Sequence, residues 1–433
     1  MLSLPQHTKH FILHFIMSIF FDMHKPYSGR MLEKLTDRSF IEDAPHRSMC
    51  TDCGISRTAH PERCATACQF IKPNYEKLEN DVHGRQRDAN IQADEAFFGP
   101  FISMHRGSLK PSREGAQWTG ITSELGKRLL ESGKVDAVIA VKPHPLDRWK
   151  PEPVLITNAE DMAQCRGMRM GYAPSLALLE PAIEAGHKRI AFIGIPCQVY
   201  ALRSLEKAFG LDRLYVIGTP CSDNTTTANF HKFLALLSNR PDTINYLEFR
   251  ADYQVELRFD NGSKQEIPFL KLPVSKLPGD FFPLTCQTCV DYTNSLADIT
   301  VGYMAGEGDQ WLIVRNKRGQ ELLDLLKPDL ETKPLRSKGN RRKHVEGFKA
   351  NVENSVNGLP LRSMPDFVRP IVAWLMPKIG PKGLEFARTR VEMKAIESIL
   401  HLRKKRPGKI KSMIPAHVWK LANKYGIKRT QDE

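Results

Sequence analysis

The chain has 433 residues, of which 41% are hydrophobic and 26% charged. That is enough for two or three packed cores and too mixed for a disordered or collagen-like chain. Nine cysteines are too few for a disulfide-stapled secreted scaffold, and no apolar run is long enough to cross a bilayer. The net charge of +14 is unevenly placed: residues 331–433 carry 24 Lys and Arg against 9 Asp and Glu, and residues 1–330 carry 39 against 40. Such an excess suits an acidic partner, whether nucleic acid, anionic membrane or acidic protein, or it is only a solvated surface.

The apolar stretch Phe11 to Phe21 is short, has no small-residue cleavage site after it, and is flanked by Lys9 alone. It does not read as a signal peptide. Residues 1–46 are expected to form a disordered extension, with Met17, Met23 and Met31 as alternative starts, on a cytoplasmic protein. Residues 47–98 are rich in Cys, His and Arg and suit a loop-rich metal module. From Gly99 the pattern changes. Ile121 to Leu130 reads as an amphipathic helix and Val135 to Val141 as a buried strand. A helix over Leu176 to Ala185 precedes the strand Arg189 to Ile195, and Leu214 to Gly218 is another strand. Phe230 to Leu237 is helical. Tyr246 to Arg250 and Tyr253 to Phe259 alternate at period two, with a turn at Asp260-Asn-Gly262. Two helical stretches, around Phe367 to Leu375 and Leu384 to Leu402, lie in the basic region. The expected class is α+β with α/β elements. Its expected parts are a module over 47–98, a central domain over 99–330 and a basic C-terminal region over 331–433.

Eight cysteines fall into two sets. Cys50, Cys53, Cys64 and Cys68 lie within 19 residues; Cys197, Cys221, Cys286 and Cys289 are spread out. Four thiolates can hold a [4Fe–4S] cluster or a tetrahedral zinc, and a C-x2-C turn suits both. For the first set the spacing leaves cluster, zinc and no metal open. Cys197 and Cys221 each follow a proline after an apolar strand, where α/β sheets place functional groups, or they are buried core thiols. Cys165 reads as structural.

Gly194-Ile-Pro-Cys197-Gln-Val-Tyr-Ala-Leu-Arg203, Thr219-Pro-Cys221-Ser, Cys286-Gln-Thr-Cys289-Val-Asp291 and Ala297-Asp298-Ile-Thr-Val-Gly302 resemble the beta subunit of deazaflavin-reducing hydrogenases and dehydrogenases. Cys50-Thr-Asp-Cys53-Gly, Val82-His-Gly-Arg85, Glu114-Gly-Ala-Gln-Trp-Thr-Gly120 and Gly380-Pro-Lys-Gly-Leu-Glu-Phe-Ala-Arg388 are similar to the chlorophyll-pathway branch of that family, the hydroxymethyl chlorophyll and divinyl (proto)chlorophyllide 8-vinyl reductases. The resemblance runs from about Cys50 to Arg388. Ser56 stands where the branch has a third cysteine, and Cys64 is additional.

The resemblance implies FAD, two [4Fe–4S] clusters, one on each cysteine set, and reduction of a tetrapyrrole vinyl group with electrons from ferredoxin. A flavin converts single electrons to a hydride, and no Gly-x-Gly-x-x-Gly supports a nicotinamide site. The turn holding Gly115, Gln117, Trp118, Thr119 and Gly120 is the expected flavin contact, or an ordinary helix start. His83 and Arg85 are expected to meet substrate carboxylates or supply a proton, or to form a polar surface turn. Asp291 and Asp298 are expected to cap or orient the second cysteine loop. The alternatives are a different reduction by the same fold, or a zinc protein binding nucleic acid. The latter has no use for two cysteine sets, and aromatic residues are sparse in the basic region, so no nucleic-acid partner is expected. Peripheral contact of the basic region with an anionic photosynthetic membrane is a further expectation.

Overall fold

The computed structural model describes residues 49–250, 252–302, 308–355 and 367–433. The expected extension over 1–46 lies outside them. Strands β1 (Ser103–Leu109), β2 (Ala137–His144), β3 (Asp147–Ile156), β4 (Arg189–Gly194), β5 (Arg213–Gly218), β9 (Ile299–Gly302), β10 (Gln310–Val314) and β11 (Leu330–Lys333) form one mixed sheet, in the order β11-β1-β10-β9-β5-β4-β2-β3. Its centre, β2-β4-β5-β9, is parallel, and its margins are antiparallel. Strands β6 (Ile244–Phe249), β7 (Gln254–Phe259) and β8 (Lys264–Pro268) form a separate antiparallel sheet, and β12 (Ser337–Lys338) pairs with β13 (Lys382–Gly383).

Both faces of the large sheet are covered, as a parallel centre requires. In β10, Leu312 and Val314 face one core with helices α2 (Ile121–Glu131) and α5 (Lys317–Leu326). Trp311 and Ile313 face the other, which is filled by the C-terminal helix α8 (Leu384–Lys405). Ala387, Val391, Ala395, Ile399 and Leu402 recur at helical spacing on α8 and are all in that core. Each fully buried Val, Ile or Leu contributes about 1.5–3 kcal/mol. The basic region is therefore part of the main body's packing. Helix α4 (Thr227–Leu237) packs Phe230, Phe233 and Leu234 against Leu247, Val255 and Leu257 of the small sheet.

The helix read over Leu176 to Ala185 is split into a 3-10 turn, Ser175–Leu178, and a short helix, Leu179–Glu184. Pro181 has no N–H to bond back into the preceding turn. Helices α1 (Tyr75–His83), α3 (Pro196–Leu205), α6 (Arg341–Asn354), α7 (Arg369–Ile379) and α9 (Ala416–Asn423) complete the elements used below.

Candidate functional site

The carboxyl ends of β4 and β5 lie side by side, with Gly194 paired to Gly218. β4 runs through Pro196 into α3, which places Cys197 in the first turn of a ten-residue helix. There the helix N-terminus and the Thr51 hydroxyl favour a thiolate, but burial outweighs them and raises the Cys197 thiol. β5 runs into Pro220 and Cys221, and the Cys221 amide donates to the Tyr292 carbonyl at 3.0 Å. That bond docks the loop of Cys286 and Cys289, which is itself a tight turn closed by Cys289 N–H to the Cys286 carbonyl at 3.2 Å. The strand ends thus gather all four cysteines of the second set at a crevice of the kind where open α/β sheets bind ligands.

The first set is held by local turns and pinned to the body. The Leu176 amide donates to the Cys53 carbonyl at 3.0 Å. Gly54, at φ 110°, lies so close to Pro174 and Ala177 that a Cβ there would meet Pro174 O at 2.6 Å. Only glycine suits both the left-handed backbone and the approach.

Cys197 stands between the sets. Burial pushes the Cys53 thiol well above its usual value, aided by Cys68, Cys197 and Cys50. Burial takes Cys68 to about 12, with Cys50, Cys64 and Cys197 adding to it. On the other side, Cys221 is raised by burial and then by Cys286, Cys197 and Cys289. Burial raises Cys286 well above its usual value and Cys289 to about 12, and Cys197 adds to both. Gln69, next to Cys68, reaches across with Nε2 3.8 Å from Cys289 Sγ, and its Oε1 accepts from Tyr75 at 2.7 Å.

All nine cysteines are free of disulfides. Among the described residues, no three His, Cys, Asp or Glu side chains are closed up around a metal-sized centre. The donor chemistry still fits a cluster. Several sulfurs accept hydrogen bonds: Cys50 from Asp52 N at 3.4 Å, Cys197 from Thr51 Oγ1 at 3.5 Å and Cys286 from Asn224 N at 3.4 Å. Such bonds tune cluster sulfurs. Burial that opposes thiolates is also what a bound cation offsets.

Helix α8 closes over the second set. Lys394 is buried, and its Nζ donates to the Cys286 carbonyl at 2.7 Å, Asp223 at 3.0 Å and Glu397 at 2.8 Å. Asp291 accepts from Ser295 N and Oγ and so caps the loop after Cys289. Asp298 accepts from Arg203 on α3, Arg318 on α5 and the Val216 amide of β5.

The Gly115 to Gly120 turn leads from β1 into α2. Gly115 (φ 71°), Trp118 (φ 49°) and Gly120 (φ 84°) are left-handed, and open space lies where a Gly115 Cβ would project. Thr119 Oγ1 accepts from Leu109 N at 3.0 Å, and Gln117 Nε2 donates to the Leu247 carbonyl at 3.3 Å. Arg166 donates to the Glu114 carbonyl at 2.9 Å. Arg169 lies beside Gly167, which approaches the Gly115 carbonyl. The Nε atoms of both arginines are buried without a partner, and burial lowers the Arg169 guanidinium. A cradle open at a glycine, with two under-satisfied guanidinium groups, fits an anionic cofactor such as a flavin dinucleotide. Sequence reasoning missed both arginines, because neither belongs to a recognisable motif.

His83 Nε2 lies 2.9 Å from the Ser295 carbonyl and its Nδ1 3.3 Å from Asn316. Burial, with Arg315 nearby, pulls its pKa to about 3, so the ring is neutral and engaged at both nitrogens. Arg85 makes a bidentate pair with Glu95. A substrate carboxylate meeting Arg85 would have to displace Glu95. Arg388, in the Gly380–Arg388 motif, pairs with Asp94 at 2.7 and 2.9 Å, so two distant motifs meet at one turn.

Two family models match the chain, both of the coenzyme F420 hydrogenase/dehydrogenase beta subunit: the N-terminal one over residues 104–180 and the C-terminal one over 187–338. The chloroplastic 7-hydroxymethyl chlorophyll a reductase of Oryza sativa subsp. japonica is 37% identical over 396 residues, covering 88% of this chain and 83% of that one. An uncharacterized protein of Nostoc sp. is 36% identical over 384 residues, covering 88% and 95%. The fold is similar to a chain of the F420-reducing [NiFe] hydrogenase complex from Methanosarcina barkeri, with a TM-score of 0.53 and 19% identity over 74% of this chain and 97% of that one.

Proposed function

Because the chain belongs to the coenzyme F420 hydrogenase/dehydrogenase beta-subunit family, we propose that it is an iron–sulfur flavoprotein that reduces the 8-vinyl group of a divinyl (proto)chlorophyllide with electrons from reduced ferredoxin. Family membership and the rice relative make it an oxidoreductase of chlorophyll-reductase kinship. The observation that carries the finer reading is the gathering of the second cysteine set at the β4 and β5 ends, with Cys197 adjoining the first set. Two neighbouring thiol sets, linked by Thr51 Oγ1 to Cys197 Sγ at 3.5 Å and Gln69 Nε2 to Cys289 Sγ at 3.8 Å, suit a path for single electrons.

The reaction adds two electrons and two protons to a C=C bond, giving an ethyl group. A bound flavin would supply the conversion of single electrons to a hydride. The chain's own residues do the rest. Cys50, Cys53, Cys64 and Cys68, and Cys197, Cys221, Cys286 and Cys289, would hold the two clusters. Gly115 would give a flavin backbone access, with Arg166 and Arg169 available to its phosphates, while Gly120 packs against Ala116 and Arg113 and shapes the turn. His83, held neutral, orients the Ser295 to Asn316 neighbourhood; Arg85 fixes the Glu95 turn. Docking of an acidic ferredoxin is supported by the charge of residues 331–433.

The named relative favours one second reading, reduction of a hydroxymethyl group to methyl with loss of water. An anaerobic assay with reduced ferredoxin and each substrate separates them. Gain of two hydrogens by divinyl chlorophyllide is the expected result. Turnover of the hydroxymethyl substrate alone would transfer the assignment to the second reading.

A further inference from the structure

Most large apolar side chains are buried, but α7 presents a row of them. Phe367, just before the helix, and Ile371, Trp374 and Ile379 are 78%, 58%, 63% and 58% exposed. Phe367, Ile371 and Trp374 follow one another at helical spacing, and Lys378 continues the row. The other side of the helix is seated: Ala373 is buried, Gly380 lies against Tyr253, and the Tyr253 hydroxyl donates to the Pro381 carbonyl at 2.7 Å. The helix is thus fixed to the small sheet with its apolar row outward.

The rim of that row is cationic. From Phe367 to Gly383 the chain has no Asp or Glu; Arg369 is buried on the seated side, which leaves Lys378 and Lys382 at the surface. Lys338 of β12 stands directly opposite Lys382 of β13, a like-charge pair that an anion relieves. The Lys378 ammonium sits 3.5 Å over the Trp374 ring. An aromatic body with a cationic tip is suited to the boundary between acyl chains and headgroups. A second copy of this chain is a poor fit, because a self-complementary contact would bring the same lysines together.

We propose that α7 lies in the plane of an anionic lipid surface, with Phe367, Ile371, Trp374 and Ile379 at the acyl boundary and Lys378, Lys382 and Lys338 on the headgroup phosphates. The proposal is independent of the redox reading, since it needs no cofactor and is tested without turnover.

The test is co-sedimentation of the full chain with phosphatidylcholine vesicles, with and without phosphatidylglycerol. The protein should pellet with the anionic vesicles and much less with the neutral ones. Ile371→Glu/Trp374→Glu should weaken binding about tenfold or more, and Lys378→Glu/Lys382→Glu should weaken it only toward anionic vesicles, with salt doing the same to the native chain. Circular dichroism and gel filtration check that each variant is folded. Absence of pelleting by the native chain overturns the proposal. So does equal pelleting of the folded Glu variants. So does a native oligomer that the Ile371→Glu/Trp374→Glu change converts to monomer without any vesicle binding, which would give the face to a second copy.

Discussion

Cys50, Cys53, Cys64 and Cys68 share 19 residues and are shaped by their own turns. Cys197, Cys221, Cys286 and Cys289 come from three separate stretches that meet only because β4 and β5 are parallel neighbours and Cys221 N bonds Tyr292 O. The first arrangement is local and survives wherever its loop is docked. The second exists only in the finished sheet. Cys197 belongs to the second by sequence motif, yet its Sγ accepts from Thr51 Oγ1 of the first loop at 3.5 Å. The local and long-range sets are therefore neighbours with two modes of support.

The strongest way to break this contrast is at Cys197. Anaerobically reconstituted protein should hold about eight irons per chain if each set carries a four-iron cubane. Cys50→Ala and Cys286→Ala should each remove about half, with one electron paramagnetic resonance signal kept. Cys197→Ala should perturb both signals. If only one changes, Cys197 serves a single set; if the native protein holds about four irons, one set carries no cluster.

A second test acts on the long-range set alone. Lys394→Met leaves buried Glu397 and half-buried Asp223 without their cation, a loss approaching the ~3–5 kcal/mol of a broken buried pair. Thermal stability should fall, and the centre on Cys221, Cys286 and Cys289 should be lost or shifted while that on Cys50 to Cys68 stays. Lys394→Arg should recover part of both. Equal loss of the two centres would show that α8 supports the site as a whole.

The smallest effect is expected from the basic run Arg403 to Arg406. Arg403 is already paired with Glu433 at 2.7 Å, and Lys405 donates to Gln287 at 3.1 Å. Neutralising all four should raise the ferredoxin KM modestly and flatten its salt dependence, since screening acts over about 8–10 Å. Turnover with a small artificial donor should not change. A fall there would mean that the run acts through packing.

Apolar runs and alternation made β2, β4, β5, β6 and β7 legible, along with α2, α4, α7 and α8. β1, β3 and the strands from β9 onward escaped, and for two of them the physical reason is plain. β1 carries Arg106 in its middle, which is tolerable because Asp309 pairs with it at 2.7 Å. β3 contains Pro151 and Pro153, which ordinarily argue against a strand, but β3 is the sheet's edge, where a missing N–H costs little. The cysteines were legible because their type and spacing carry chemistry. Arg166, Arg169, Gln69 and Lys394 were not, since none belongs to a motif and Arg166, Gln69 and Lys394 reach Glu114, Cys289 and Cys286, all distant in sequence. Lys394 looked like one more charge in a basic region until α8 turned it inward.

That inward lysine also sets an order in time. A ribosome adds roughly 5–20 residues per second, so the Cys50 to Cys68 loop is made about 16–65 s before Lys394. During that interval its thiols are without the strand ends, the Cys286 loop and the helix that later cover them. Insertion of the proposed clusters into both sets would therefore wait until nearly the whole chain is made, and the nascent one needs a reducing surrounding to arrive there with its sulfurs intact.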